Sequence, residues 1–231
     1  MAVDLMLSPA ARRSFERMAA DVARVLNGQL VAVVATGPTS SVVFAGPIGS
    51  GDLEALGALV EVWHRDGLDT PLFLTPDEFR RSLDTFPAEY QAIVDRHLVI
   101  SGVAPFQGAV ISADALRHAC EVQAKGHLIH LRQGWLESAG RDDKLAALIA
   151  RSAAPLRTLL SHVARLVAPA TGDDAALAGA RIAGLPDRLI RDVLALDETP
   201  ELSMQLVPHL PAYLAASERL WAFVDGWRAE P

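Results

Sequence analysis

At Ser112 the sequence changes character, and that change constrains the fold more than any other feature. Before Ser112, short β-branched runs bounded by turn residues alternate with helical stripes. After it, apolar residues recur at helical spacing almost to the end. A chain of 231 residues divided in this way reads as an α/β (α+β) unit, 1–107, followed by a helical unit, 108–231. The boundary falls in "VAPFQGAVIS", residues 103–112.

In the first part, residues 8–27 read as a helix. Ser8 is a cap, Pro9 suits the first helical position, and Phe15, Met18, Val22, Val25 and Leu26 share a stripe. "LVAVVAT" (30–36) and "SVVFAG" (41–46) read as strands, and "GPTS" between them is short enough for an antiparallel hairpin. Residues 52–65 read as helix and "TPLFL" (70–74) as strand. Thr75-Pro76-Asp77-Glu78 has the form of a capping box that opens a short helix ending near Leu83. "EYQAIVDRHLVISG" (89–102) carries both helical and strand features and is assigned mostly to strand.

In the second part, helices are expected over 112–138, 142–167, 173–181, 186–196 and 208–228. Gly126 and Gly134 in the first cost about 1 kcal/mol each against Ala. Pro155 in the second removes a backbone hydrogen bond and is expected to bend it.

Composition excludes several roles. The net charge is -7, from 28 acidic and 21 basic residues, with no basic run longer than Arg12-Arg13 or Arg80-Arg81. Broad nucleic-acid binding needs clustered Lys and Arg, so it is not expected. A single cysteine, Cys120, forms no internal disulfide and suits a cytoplasmic protein. The N-terminal stretch has no basic head followed by a long apolar run, and is not read as a signal peptide. No segment approaches the ~20 apolar residues that span a bilayer, so no membrane partner is expected.

The element order, with "PLFLTPDEFRRSLDTFPAEY" (71–90), "RHLVISGVAPF" (96–106), "LRHACEVQAKGHLIHLRQGWLESAG" (116–140) and "LPAYLAASERLWAFVD" (210–225), resembles a group of bacterial nucleotidyltransferase-like proteins. They fall in the superfamily of DNA polymerase beta and kanamycin nucleotidyltransferase. The resemblance covers nearly the whole chain and specifies fold better than chemistry. It implies a small mixed sheet flanked by helices, then an antiparallel helical bundle.

Active members carry Gly-Ser after the first strand and Asp-x-Asp on the next. Alternate strand residues point the same way, so those carboxylates share divalent metals that neutralise a triphosphate. Here Gly37 matches the family glycine, but Pro38 stands in place of the serine, and "SVVFAG" holds no acid. Glu89 alone stands for the third carboxylate. The family's "GEDP" reads Gly102-Val103-Ala104-Pro105, without either acid.

The candidate catalytic residues are therefore Glu89, Asp52 and Glu54. Asp52 and Glu54 lie too close to Ser50 for the family spacing, and open a helix on which positions two apart diverge by about 200°. Capping by Ser50 or Asp52 explains them better. Gly46–Gly51 lacks the lysine and glycine spacing of a phosphate loop. Candidate nucleotide-binding residues are Gly37, Thr39, Ser40 and His97, and a pocket is expected between the sheet and helix 112–138, near Gly37, Glu89 and His97.

No metal site is expected. Cys120 lies two turns, about 10 Å, from His127 along a helix, too far to share a zinc with His127, His130 and His118. His127 and His130 are expected to edge the domain interface, Glu121 and Lys125 to pair, and Trp135, Trp221 and Trp227 to pack.

The reading that follows is a degenerate, non-catalytic nucleotidyltransferase-fold protein that acts as a binding or interaction module and needs no cofactor. One alternative is an active enzyme, with Mg2+, transferring a nucleoside monophosphate to a small molecule or protein. Another is a toxin–antitoxin-type partner protein. A nucleotide or small-molecule ligand, a protein partner and a homo-oligomer all remain open.

Overall fold

The computed structural model describes residues 3–167 and 175–228. The chain forms two compact units, Met1–Ile111 and Ser112–Pro231.

The first unit is a mixed sheet with helices on both faces. Helix α1 (Pro9–Leu26) starts where the Ala11 N–H donates to Ser8 Oγ at 3.1 Å, and stops at Asn27, which takes a left-handed φ of 42°. The strands are β1 (Val3–Asp4), β2 (Leu30–Ala35), β3 (Ser41–Ala45), β4 (Leu72–Leu74) and β5 (Arg96–Gly102), in the order β1-β5-β2-β3-β4. β2 is antiparallel to both β3 and β5, while β1 runs parallel to β5 and β4 parallel to β3.

Period-two alternation sorts the side chains of β2 and β3 onto two faces. Val33, Ala35, Val43 and Ala45 pack with Phe15, Met18 and Val22 of α1. Ala32, Val34, Val42 and Phe44 pack on the other side with Phe79, Tyr90 and Phe106. The Phe44 and Phe79 rings meet edge-on, with centroids 5.6 Å apart, and Phe106 lies 5.7 Å from Phe44. Ala104, Phe106, Ala109 and Ile111 join this face, which carries the unit through Ile111.

Two expectations are corrected here. Residues 52–65 form two helices, α2 (Ser50–Gly57) and α3 (Val60–Arg65), not one. Residues 87–95 form helix α5 (Pro87–Asp95), so the segment 89–102 is not mostly strand; β5 begins only at Arg96. Pro87 supplies a preset helical φ, and Tyr90, Ile93 and Val94 fall at helical spacing toward the sheet. The helix α4 (Pro76–Arg81) opens with the expected capping box: the Glu78 N–H donates to Thr75 Oγ1 at 3.0 Å, and the Thr75 N–H to Glu78 Oε2 at 2.7 Å.

The second unit is helical: α6 (Ala113–Ser138), α7 (Asp142–Val167), α8 (Ala175–Ile182), α9 (Asp187–Ala195), a 3-10 helix (Pro200–His209) and α10 (Leu210–Gly226). The expected start of a helix at residue 173 lies outside the described residues. Ser112 caps α6, accepting from the Ala115 N–H at 3.1 Å. Gly134 gives the Leu148 side chain its seat, since a Cβ there would clash with it, so the glycine that weakens α6 locally lets α7 approach closely. Gly179 does the same for α8, where a Cβ would strike the Leu160 carbonyl. Leu131, Ile149, Leu156, Leu160, Val163, Tyr213 and Leu220 belong to one shared core.

Candidate functional site

The turn between β2 and β3 is closed by its own polar groups. The Thr36 N–H donates to the Ser40 carbonyl at 2.9 Å, and Thr36 Oγ1 donates to Ser40 Oγ at 3.2 Å. Thr39 Oγ1 donates to Asp69 Oδ2 at 2.6 Å, and the Asp69 N–H returns to the Thr39 carbonyl at 2.9 Å. A Cβ on Gly37 would sit 2.6 Å from Ser40 Oγ. Compactness of the turn therefore accounts for Gly37 without a phosphate. All five residues of β3 are buried, and none is acidic.

His97 lies at the same end of the sheet, because Ala35 pairs with Leu98 on one side and Ser41 on the other. Its Nδ1 donates to the Ile93 carbonyl at 2.9 Å, and its ring meets Phe106 at 4.7 Å. These contacts tie the end of α5 to the start of β5.

The three candidate acids do not follow the family arrangement. Glu89 is exposed in the first turn of α5, so it is not a strand carboxylate. Asp52 and Glu54 lie on α2, beyond the opposite end of β3 from Gly37, and a five-residue strand spans about 16 Å. Asp52 accepts the Gly49 N–H at 2.9 Å and stabilises the start of α2; the helix is capped at Gly49, so Ser50 is its first residue and not its cap. Among the described residues, no three His, Cys, Asp or Glu side chains gather closely enough to hold a metal ion.

A cleft of the first unit encloses about 430 Å³ at the carboxyl ends of β3 and β4, lined by Gly46, Ile48, Phe73, Leu74, Thr75 and Glu78; Gly37, Glu89 and His97 do not line it. Open α/β sheets commonly place ligands beyond parallel strand ends. Here Asp52 and Glu78 already accept from the amides that open α2 and α4. Bonds from the Thr75 backbone and side chain hold the Glu78 carboxyl below its usual range, so its negative charge repels a phosphate. This cleft suits an apolar or cationic group.

In the helical unit, His118 and His130 are exposed, while Cys120 and His127 are buried. His127 is held within the unit, its Nε2 2.9 Å from the Tyr213 hydroxyl. Tyr213 also lies 2.9 Å from Ser152 Oγ, and Ser152 donates to the Ile149 carbonyl at 2.7 Å. Ser152 has one hydroxyl proton, spent on Ile149, so it accepts from Tyr213, and Tyr213 accepts from His127. Burial, then the charge of His130, lowers the His127 pKa to about 4, and burial raises that of Tyr213. Both are neutral at pH 7.

Glu121 takes Arg117 as its partner, at 2.7 Å, in place of Lys125, and the Lys125 ammonium lies 3.5 Å from the ring centre of Trp221. The Tyr213–Ser152 pairing had no local signature, since its members lie 61 positions apart. No family model, curated protein or solved structure matches the chain.

Proposed function

We propose that this protein is a nucleotidyltransferase-fold protein whose first unit lacks the metal chemistry and serves as a binding module. The helical unit takes the part of the antiparallel bundle in that fold. One observation carries the reading. β3, the strand that would present paired carboxylates, is Ser41-Val42-Val43-Phe44-Ala45, buried throughout and without an acid. Carboxylates on alternating positions of one strand are what bring two divalent ions to a triphosphate.

The closed turn at Thr36–Ser40 supports the same reading, because its three hydroxyls and the Thr36 amide already have partners within the protein. Incubation with radiolabelled ATP or GTP and Mg2+ tests it. The expected outcome is no label on the protein or on small hydroxyl and amine acceptors, and no Mg2+-dependent heat on nucleotide titration. Label transfer that Glu89→Ala abolishes would sink the proposal.

A further inference from the structure

A cavity in the helical unit, between α6 and α7, encloses about 600 Å³. That is within the range of small-molecule sites. Its shape has a cause in the sequence. At one end Gly134 lets Leu148 pack close. Farther along, Gly126 contributes no side chain, and a Cβ built there meets nothing within 4 Å. Opposite, Pro155 lacks the N–H that would bond the Arg151 carbonyl within α7.

The chemistry of the lining is equally distinct. In a chain of net charge -7, no Asp or Glu among the described residues lines this cleft. Arg151 lies at it, exposed, with no carboxylate in ion-pair reach among the described residues. Neighbouring arginines differ: Arg132 pairs with Glu218 at 2.6 Å and Arg157 with Asp197 at 3.0 Å. His130 adds a ring donor beside the opening.

His127 contributes an acceptor. Its Nε2 is engaged by Tyr213, whereas Nδ1 has no hydrogen-bond partner among the described residues. Among the described residues, no side-chain nitrogen or oxygen is both fully buried and unpaired. Nδ1 is therefore reachable, and His127 lines the cleft. Leu131, Leu148 and Leu159 supply the apolar wall.

We propose that the cleft between α6 and α7 binds a small organic anion with an apolar body. Its carboxylate or phosphate rests on Arg151 and His130, a hydroxyl or N–H donor reaches His127 Nδ1, and its body lies against the three leucines. The site lies wholly on the helical unit, so nucleotide transfer by the first unit would overturn the preceding proposal and leave this one standing.

Calorimetric titration of the full chain with 4-phenylbutyrate, phenyl phosphate and neutral 4-phenylbutyramide tests it. At least one anion is expected to bind, and the amide about tenfold or more weakly, the effect of ~1.4 kcal/mol from one charge-assisted contact. Arg151→Gln, at an exposed position, is expected to weaken the anion by a similar factor, and Gly126→Leu to abolish binding by filling the cleft. Tighter binding of phenylbutyrate assigns a carboxylic acid; tighter binding of phenyl phosphate assigns a phosphate ester. Three results would overturn the proposal: no anion binding at millimolar concentration, equal binding of the amide, or unchanged binding in Arg151→Gln. The last arm holds even if Gly126→Leu fails to fold.

Discussion

His127 shows how one buried side chain couples this protein to pH. Its neutral form donates to Tyr213, and burial lowers its pKa from 6.5 to about 4. Between those values the unfolded chain binds a proton that the folded chain refuses. Stability from this group is thus complete above pH 6.5 and is lost as pH falls toward 4, by on the order of 3 kcal/mol. Urea unfolding at several pH values across that window is expected to show the loss. His127→Gln, which keeps an N–H donor for Tyr213 and does not titrate, is expected to flatten it; an equal slope in both proteins would refute the assignment. The sequence showed His127 only as a near neighbour of His130 on one helix. Its partner was not legible, because Tyr213 lies 86 positions away and nothing local marks the pair.

Among the elements, the helices of the second unit show why glycine cannot be judged from helix propensity alone. Gly126 and Gly179 both interrupt helical runs and cost similar amounts locally. Their surroundings differ: Gly126 faces open space, whereas Gly179 is pressed on the Leu160 carbonyl. Gly179→Ala is expected to force α8 from α7 and destabilise by about 1–3 kcal/mol. Gly126→Ala is expected to stabilise by about 0.5–1 kcal/mol through the unfolded chain and the helix. Thermal unfolding of the two variants checks both signs. The helix starts at Ser8, Thr75 and Ser112 were readable because a cap is decided within three residues. The segment 89–95 was not, since its apolar residues suit either period and the burial of Tyr90, Ile93 and Val94 on one sheet face decides for helix.

At the scale of the whole molecule, charge sets what the protein avoids. With a net charge of -7 and arginines mostly paired to nearby acids, it presents no basic tract to a phosphate backbone. No mobility shift of double- or single-stranded DNA is expected at ionic strength near 0.15 M, where surface attractions fade within about 8 Å. A sequence-independent shift at that salt would contradict this. Among the described residues, no helix is long and apolar enough to cross a membrane.

The amino-acid sequence by itself determined the change from mixed to helical structure near Ser112, the β2–β3 hairpin, the capped helix starts and the absence of acids on β3. Each depends on period, turn chemistry or residue identity within a few positions. Tertiary structure alone decided that β5 lies beside β2, that the first unit's cleft opens at the far end of β3 from Gly37, and that α6 and α7 leave a cleft beside Arg151. These follow from which apolar faces cover one another, a choice made between residues far apart in the chain.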